Sequence, residues 1–335
     1  MKTTTIIKTK FQQPGINDQA LVITKALKAH FARHSNQCYL LLDPFLRNFI
    51  DDDLIYERIE NKAITDVLIP HASVDKTRVP FIISLDLNKP EDNELLFHSV
   101  YESLFETHPK RIAMGEGRRF CGWLSASTAT KLTDLSLYMG RVAIQRLSED
   151  KTILLRLYDP AVMIQLWFLL SEVQRRILFG LVDDWSIITG EGELYTFPAS
   201  EATLFGAHSL GLSPEQYKKI SWIGAINRGL CFYRQLDNRP WISDLQVQKI
   251  LFPLFERTQH YSFNSYDDIN DLAIKALTVH PYFDKHPLLA LRVTGMPSPV
   301  RYRDLIHGIT QPEWTMIQND CIASYGSLSD LLMKN

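Results

Sequence analysis

Apolar residues recur at helical spacing at Ala20, Ile23, Leu27 and Phe31, and Asn17 stands where a cap would. The spacing predicts a helix over residues 17–34. Tyr39-Leu40-Leu41-Leu42 is a short apolar run closed by Asp43-Pro44, and 79–85 is a second. Runs of that length between turn signals read as buried strands. Residues 93–108 place Leu96, Val100 and Phe105 on one helical side. Residues 120–124 read as a third strand, 127–145 as a helix, 152–157 as a fourth strand and 185–188 as a fifth. Strands alternating with helices predict an α/β layer.

Beyond Thr196-Phe197-Pro198-Ala199 the strand signals stop and helix starts repeat. Ser213-Pro214-Glu215-Gln216 combines a capping box with proline at the first helical position, and Ser243-Asp244-Leu245-Gln246 repeats the box. Ser265 opens a helix carrying Ile269, Leu272, Ala273 and Ala276, and Pro312 another with Trp314, Ile317, Cys321 and Tyr325 in one stripe. The fold class is thus an α/β N-terminal part (residues 1–198) with a mostly buried sheet flanked by helices, followed by a mainly α-helical C-terminal part (199–335).

Composition narrows the function classes. Of 335 residues, 45% are hydrophobic and 22% charged, which is ordinary for a globular chain, and the formal net charge is −2. That balance offers no basic excess to neutralise phosphates, so nucleic acid is not an expected partner. Residues 1–10 lack an apolar core and predict no secretory signal, and the apolar run at 161–170 is too short for membrane insertion. Cys38, Cys121, Cys231 and Cys321 lie far apart without a CxxC pair and read as buried, reduced thiols of a cytoplasmic protein.

Catalytic patterns are fragmentary. His30 and His34 have metal-ligand spacing on a helix, but Phe-Ala-Arg lies between them and spacing offers no third ligand, so the expected metal and cofactor content is none. Ala207-His208-Ser209-Leu210-Gly211 resembles a nucleophile elbow, yet the next helix starts only at Ser213, which leaves Ser209 in a loop; Asp284 and His286 are isolated candidates for its partners. Gly115-Glu116-Gly117 is an incomplete phosphate loop preceding a strand, and Asp51-Asp52-Asp53 lacks EF-hand spacing and reads as a helix start. The chain is therefore expected not to be an enzyme, the alternative being a hydrolase that uses Ser209 and His208.

The most informative segment is Leu155-Arg156-Leu157-Tyr158-Asp159-Pro160. It reads as a strand end followed by a helix, with Asp159 as cap and Pro160 at the first helical position. Arg156 and Tyr158 then share one side of the strand, and the bland reading of the trio with Asp159 is a satisfied polar network. Ser171-Glu172-Val173-Gln174 caps a second helix that ends at Phe179-Gly180.

These residues carry a resemblance. With Tyr39–Asp43, Pro80-Phe81-Ile82-Ile83, Gly122-Trp123-Leu124-Ser125 and 174–180, the segment Arg156–Pro160 makes residues 38–190 resemble the Tap/TEC adaptor chaperones of type VI secretion effectors. Ala161 stands where that family usually has a basic residue, Leu137-Tyr138-Met139 where it often has His-Leu-Arg, and Gly180-Leu181 where it commonly has Gly-Pro. The resemblance implies a bacterial cytoplasmic chaperone that binds one cognate effector, keeps it stable and helps load it onto the VgrG spike. It implies structural or effector-binding roles for Asp43, Trp123, Arg156, Tyr158, Asp159, Pro160, Gln174 and Gly180. The helical part after 198 is unmatched and is expected to supply client specificity. An immunity protein for a neighbouring toxin is the other binding-protein reading.

Overall fold

The structure, a computed structural model, describes residues 15–45, 57–71, 74–75, 78–113, 117–148, 151–198, 207–263 and 265–333. The strands are β1 (Gln37–Leu42), β2 (Ile64–Asp66), β3 (Phe81–Asp86), β4 (Phe120–Ala126), β5 (Ile144–Ser148), β6 (Lys151–Leu154), β7 (Val182–Ile188) and β8 (Leu194–Pro198). Helices α1 (Ile16–Phe31), α2 (Pro90–Glu106), α3 (Pro109–Ala113), α4 (Leu132–Val142), α5 (Pro160–Trp167) and α6 (Glu172–Phe179) lie among them. Helices α7 (Pro214–Tyr233), α8 (Asp244–Thr258), α9 (Tyr266–Thr278), α10 (Pro287–Thr294), α11 (Tyr302–Ile306), α12 (Gln311–Tyr325) and α13 (Leu328–Met333) follow. The α/β part followed by a helical part is the fold class expected from the sequence. Two compact units emerge: residues up to Met163 together with Leu170–Leu212, and Ile164–Leu169 together with Ser213 onward.

In the first unit a six-stranded sheet runs in the order β2-β3-β1-β4-β7-β8, and every pairing is antiparallel. All seven residues of β4 and five of the six in β1 are buried, which explains their unbroken apolar texture. Alternation sends Cys38, Leu40 and Leu42 of β1, with Phe81, Ile83 and Leu85 of β3, into a core shared with Leu27 and Phe31 of α1 and Leu96 and Val100 of α2. Helix α4 packs on β2 and β3, and α6 on β7. At Gly122 the chain has φ +136°, and a Cβ there would lie 2.4 Å from the Ser186 carbonyl oxygen, so the β4–β7 approach needs glycine. Trp123 is a core residue whose indole N–H donates to Ser99 Oγ at 2.9 Å.

Three local expectations change. Residues 152–157 are not a strand of the main sheet: β6 ends at Leu154 and pairs only with β5, while 155–159 form turns closed by Leu157 N–H to the Leu155 carbonyl (2.7 Å) and Asp159 N–H to the Arg156 carbonyl (3.0 Å). Burial of Leu155 and Leu157 mimics strand alternation without a ladder. Asn17 lies inside α1, and Gly15 at φ 103° occupies the cap position. Cys231 is only half-buried, whereas Cys38, Cys121 and Cys321 are buried, and all four are free thiols.

The second unit is helical, with its core built from α7, α8, α9 and the later helices around Ile226, Leu251, Leu254, Leu272, Phe283 and Ile317. Its starts follow local chemistry: Ser213, Ser243 and Thr310 accept the N3 amide of their helices while the N3 side chain returns the bond. Among the described residues no helix is long and apolar enough to cross a membrane.

Candidate functional site

Four of the singled-out residues meet in the first unit. Asp43 follows β1 directly, and its backbone N–H donates to the Arg119 carbonyl at 2.8 Å, so the strand's end fixes its position. Its Oδ1 accepts the Phe45 amide at 2.9 Å and its Oδ2 accepts Arg156 Nη2 at 3.0 Å. Asp159 Oδ2 lies 3.9 Å from the same guanidinium, and its Oδ1 accepts the Ala161 amide at 3.0 Å, capping the helix that Pro160 opens. The guanidinium carbon sits 5.7 Å from the Phe45 ring centre and 5.8 Å from that of Tyr158.

The network is uneven in its exposure. The Asp43 side chain is 2% exposed and that of Arg156 is 31% exposed, so the pair reaches solvent through the arginine. Burial raises the Asp43 carboxyl above its ordinary value against the opposing pull of the Phe45 amide and Arg156. Burial works to lower the Arg156 value, but Asp159 and Asp43 together outweigh it and raise it, so the guanidinium stays charged. The Tyr158 hydroxyl is pushed up to about 12, first by burial and then by Asp43.

Gln174 and Gly180 do different work, around a cleft of about 630 Å³ whose lining includes Leu137, Tyr138, Arg141, Gly180, Asp183 and His208. Gly180 ends α6 at φ +52°, and a Cβ there would fall 2.0 Å from Tyr138 Cε1; glycine is what lets the Tyr138 ring lie against the backbone. The Tyr138 hydroxyl lies 2.5 Å from the Ile177 carbonyl and 3.0 Å from that of Ala207, and burial pushes it up to about 12. Gln174 caps with Ser171 and also donates to the Leu210 carbonyl at 3.0 Å. Buried Gln145 accepts the Leu210 amide at 2.7 Å and donates to the His208 carbonyl at 3.1 Å. The two glutamines thus hold residues 208–210, and with them the His208 ring, at the cleft. Burial first, then Arg141 at 3.5 Å from Nε2, holds the His208 value below its ordinary one. The cleft therefore offers an aromatic wall, an exposed cation at Arg141, and carboxylates at Asp134 and Asp183.

Gln145, Arg141 and Asp183 were not singled out from the sequence. Gln145 lies in β5, beyond the end of α4, and nothing in its neighbouring residues marks it. Ser209 does fall in a loop; its exposed hydroxyl accepts the Gly211 amide at 3.4 Å, its one hydrogen bond among the described residues. Asp284 pairs with Arg257 (2.9 Å) and His286 with Asp320 (3.1 Å) in the second unit, and His286 also caps α10. Residues 51–53 and Gly115-Glu116 lie outside the described residues. His30 and His34 do share a side, and Asp184 of β7 meets them there. Burial, ahead of the opposing pull of Asp184, holds His30 below its ordinary value.

Comparison of the chain with protein-family models, with curated proteins and with solved structures finds no match in any of the three.

Proposed function

We propose that this chain is a bacterial cytoplasmic adaptor chaperone that binds one cognate type VI secretion effector, holds it stable and helps load it onto the VgrG spike. The observation that supports this most is the assembly of the motif that carries the resemblance. Arg156 reaches Asp43 across 113 positions of sequence, and Tyr158 and Asp159 join the same network. The segment that most resembles the adaptor family is the one that ties β1 to the start of α5.

On this reading the cleft is the seat for a client segment. Its mixed lining suits a short stretch with one apolar anchor and one acidic group facing Arg141. Two departures from the family pattern, at Leu137-Tyr138 and Gly180-Leu181, contribute residues to this cleft. On this reading they tune the site to a client different from those of other adaptors, and the helical second unit adds specificity. Binding needs no bond chemistry. A chaperone present at about 100 times its Kd stabilises the client by about 2.7 kcal/mol through mass action, and competition from the spike releases it.

The test is genetic and biochemical. Deleting the chain in the attacking bacterium should lower the level of one effector there and stop its delivery, and Arg141→Glu should do the same while the chain itself accumulates normally. If the deletion leaves every effector at its normal level and delivered, the adaptor reading fails. Loss of self-protection instead of delivery would favour an immunity protein.

A further inference from the structure

We infer that His30, His34 and Asp184 form a binding site for a single divalent transition-metal ion of the Zn²⁺ class. This does not rest on the adaptor reading. The two histidines come from the last turn of α1 and the short 3₁₀ turn that follows it, four residues apart, with ring centres 5.2 Å apart. Asp184 comes from β7, where the register of the β4 pairing shifts between Ser125 and Ala126. Asp184 Oδ2 lies 3.4 Å from His30 Nε2 and 3.2 Å from His34 Nε2, and the three donor atoms are all within 4.8 Å of one another.

Those separations fit an ion. Ligands at about 2.05 Å in a tetrahedron stand about 3.3 Å from one another. The pairing also fails as a hydrogen bond. His30 Nε2 is shielded from solvent and has no hydrogen-bond partner, although the carboxylate is 3.4 Å away. A buried ring nitrogen that approaches an oxygen without aligning on it is an unsatisfied group, and a shared cation satisfies it. Two imidazoles and one carboxylate select Zn²⁺ or a neighbouring first-row ion over Mg²⁺ or Ca²⁺, which prefer all-oxygen sets.

Support around the ligands is partial and readable. The buried Ser125 hydroxyl donates to Asp184 Oδ2 at 3.3 Å, which orients the ligating oxygen. Arg33 Nη2 donates to His30 Nδ1 at 3.0 Å, which places the ring proton on Nε2; when an ion takes Nε2 the imidazole changes tautomer, losing that proton to solvent and gaining one on Nδ1, so Nδ1 no longer accepts and the Arg33 side chain must swing away. Side-chain exposures of 17–23% leave the fourth position to water. The ion would pin the end of α1 to β7 within the first unit.

The test uses the full chain, stripped with a chelator, then titrated with Zn²⁺ by calorimetry and with Co²⁺ by visible absorption. One equivalent should bind, with d–d bands of a low-coordinate nitrogen–oxygen site, and Zn²⁺ should raise the melting temperature. His34→Ala and Asp184→Asn should each weaken binding by about 100-fold or more, and Ser125→Ala by about 10-fold. The milder His34→Gln, compared with wild type by metal-free circular dichroism, keeps the test valid if Asp184→Asn does not fold. Cys231→Ser should change nothing. Absence of one-equivalent binding, unchanged affinity in both His34 variants, or a thiolate charge-transfer band that Cys231→Ser removes would overturn the site.

Discussion

Arg156→Met isolates the charge at the centre of the motif, because methionine keeps most of the apolar stem. What remains is the Asp43 carboxylate, 2% exposed, with the Phe45 amide as its surviving side-chain hydrogen bond. Removing one partner of a buried pair costs about 3–5 kcal/mol. Arg156 is itself 31% exposed, so water already screens part of the interaction, and we expect about 2–3 kcal/mol. For a unit of this size that is a fall of roughly 4–12 °C in melting temperature. The pH dependence follows from the sign of the Asp43 shift. Burial raises the folded carboxyl above its unfolded value, so the native state holds the proton more tightly and stability falls as pH rises through the folded value. Losing Arg156 removes a term that lowers that value, so the window widens upward and the defect should be greatest at neutral pH and shrink toward about pH 4. Adding Asp43→Asn to Arg156→Met removes the stranded charge and should recover at least about 1 kcal/mol. Urea unfolding together with hydrogen exchange at the β1 and β4 amides reads the first unit specifically. A single variant within about 0.5 kcal/mol of wild type, or a double variant no better than Arg156→Met, would refute the reasoning.

Tyr138 and Tyr158, both pushed up to about 12, keep their protons in the folded state after an unfolded tyrosine (near 10) has lost its own. Stability should therefore fall as pH rises between about 10 and 12, and ultraviolet difference titration against Tyr138→Phe and Tyr158→Phe should show each variant losing one late-ionising tyrosine; loss of an ordinarily titrating tyrosine in both would contradict their burial. Gly180→Ala combines positive φ with a Cβ 2.0 Å from Tyr138, and should cost roughly 2–3 kcal/mol in the urea midpoint and deform the cleft. A neutral effect would mean that the Tyr138 ring is free to move. Leu157→Asp places a charge at a position 1% exposed and should destabilise the first unit by more than about 3 kcal/mol, seen as loss of soluble yield; wild-type melting would show that the 155–159 turn tolerates water.

What was readable in the sequence was local. Ser171, Ser213 and Ser243 cap with the N3 glutamine written three residues on, and the apolar runs at 39–42 and 120–124 lie in β1 and β4. The edge strands β2 and β8 are mostly half-exposed and short, so no alternation marked them. The strand expected over 152–157 is present only as far as Leu154, because Leu155 and Leu157 are buried at strand-like spacing without a ladder. Candidate sites divided along the same line. The motif Arg156–Pro160 could be singled out, and so could the His30/His34 spacing, since both are short-range. Asp43 could be named from its own motif but not as the partner of Arg156, and Asp184 could not be named at all. Asp43 is brought in by the end of β1 and Asp184 by β7 at a register shift, each far along the chain from its partner, and no neighbouring residue announces either pairing. Gln174 could be named from its capping box, but Gln145 could not, and the 208–210 carbonyl and amide groups that both satisfy are legible from neither.

The central claim is that the chain works by holding another protein, and the most direct measurement is affinity purification of the tagged full chain from its own bacterium with crosslinking mass spectrometry. One large effector should be recovered, with or without VgrG, crosslinked at the first-unit cleft and lost from the Arg141→Glu variant. No stable partner under conditions where the secretion genes are expressed would contradict it, and a partner retained unchanged by Arg141→Glu would refute the cleft as its seat.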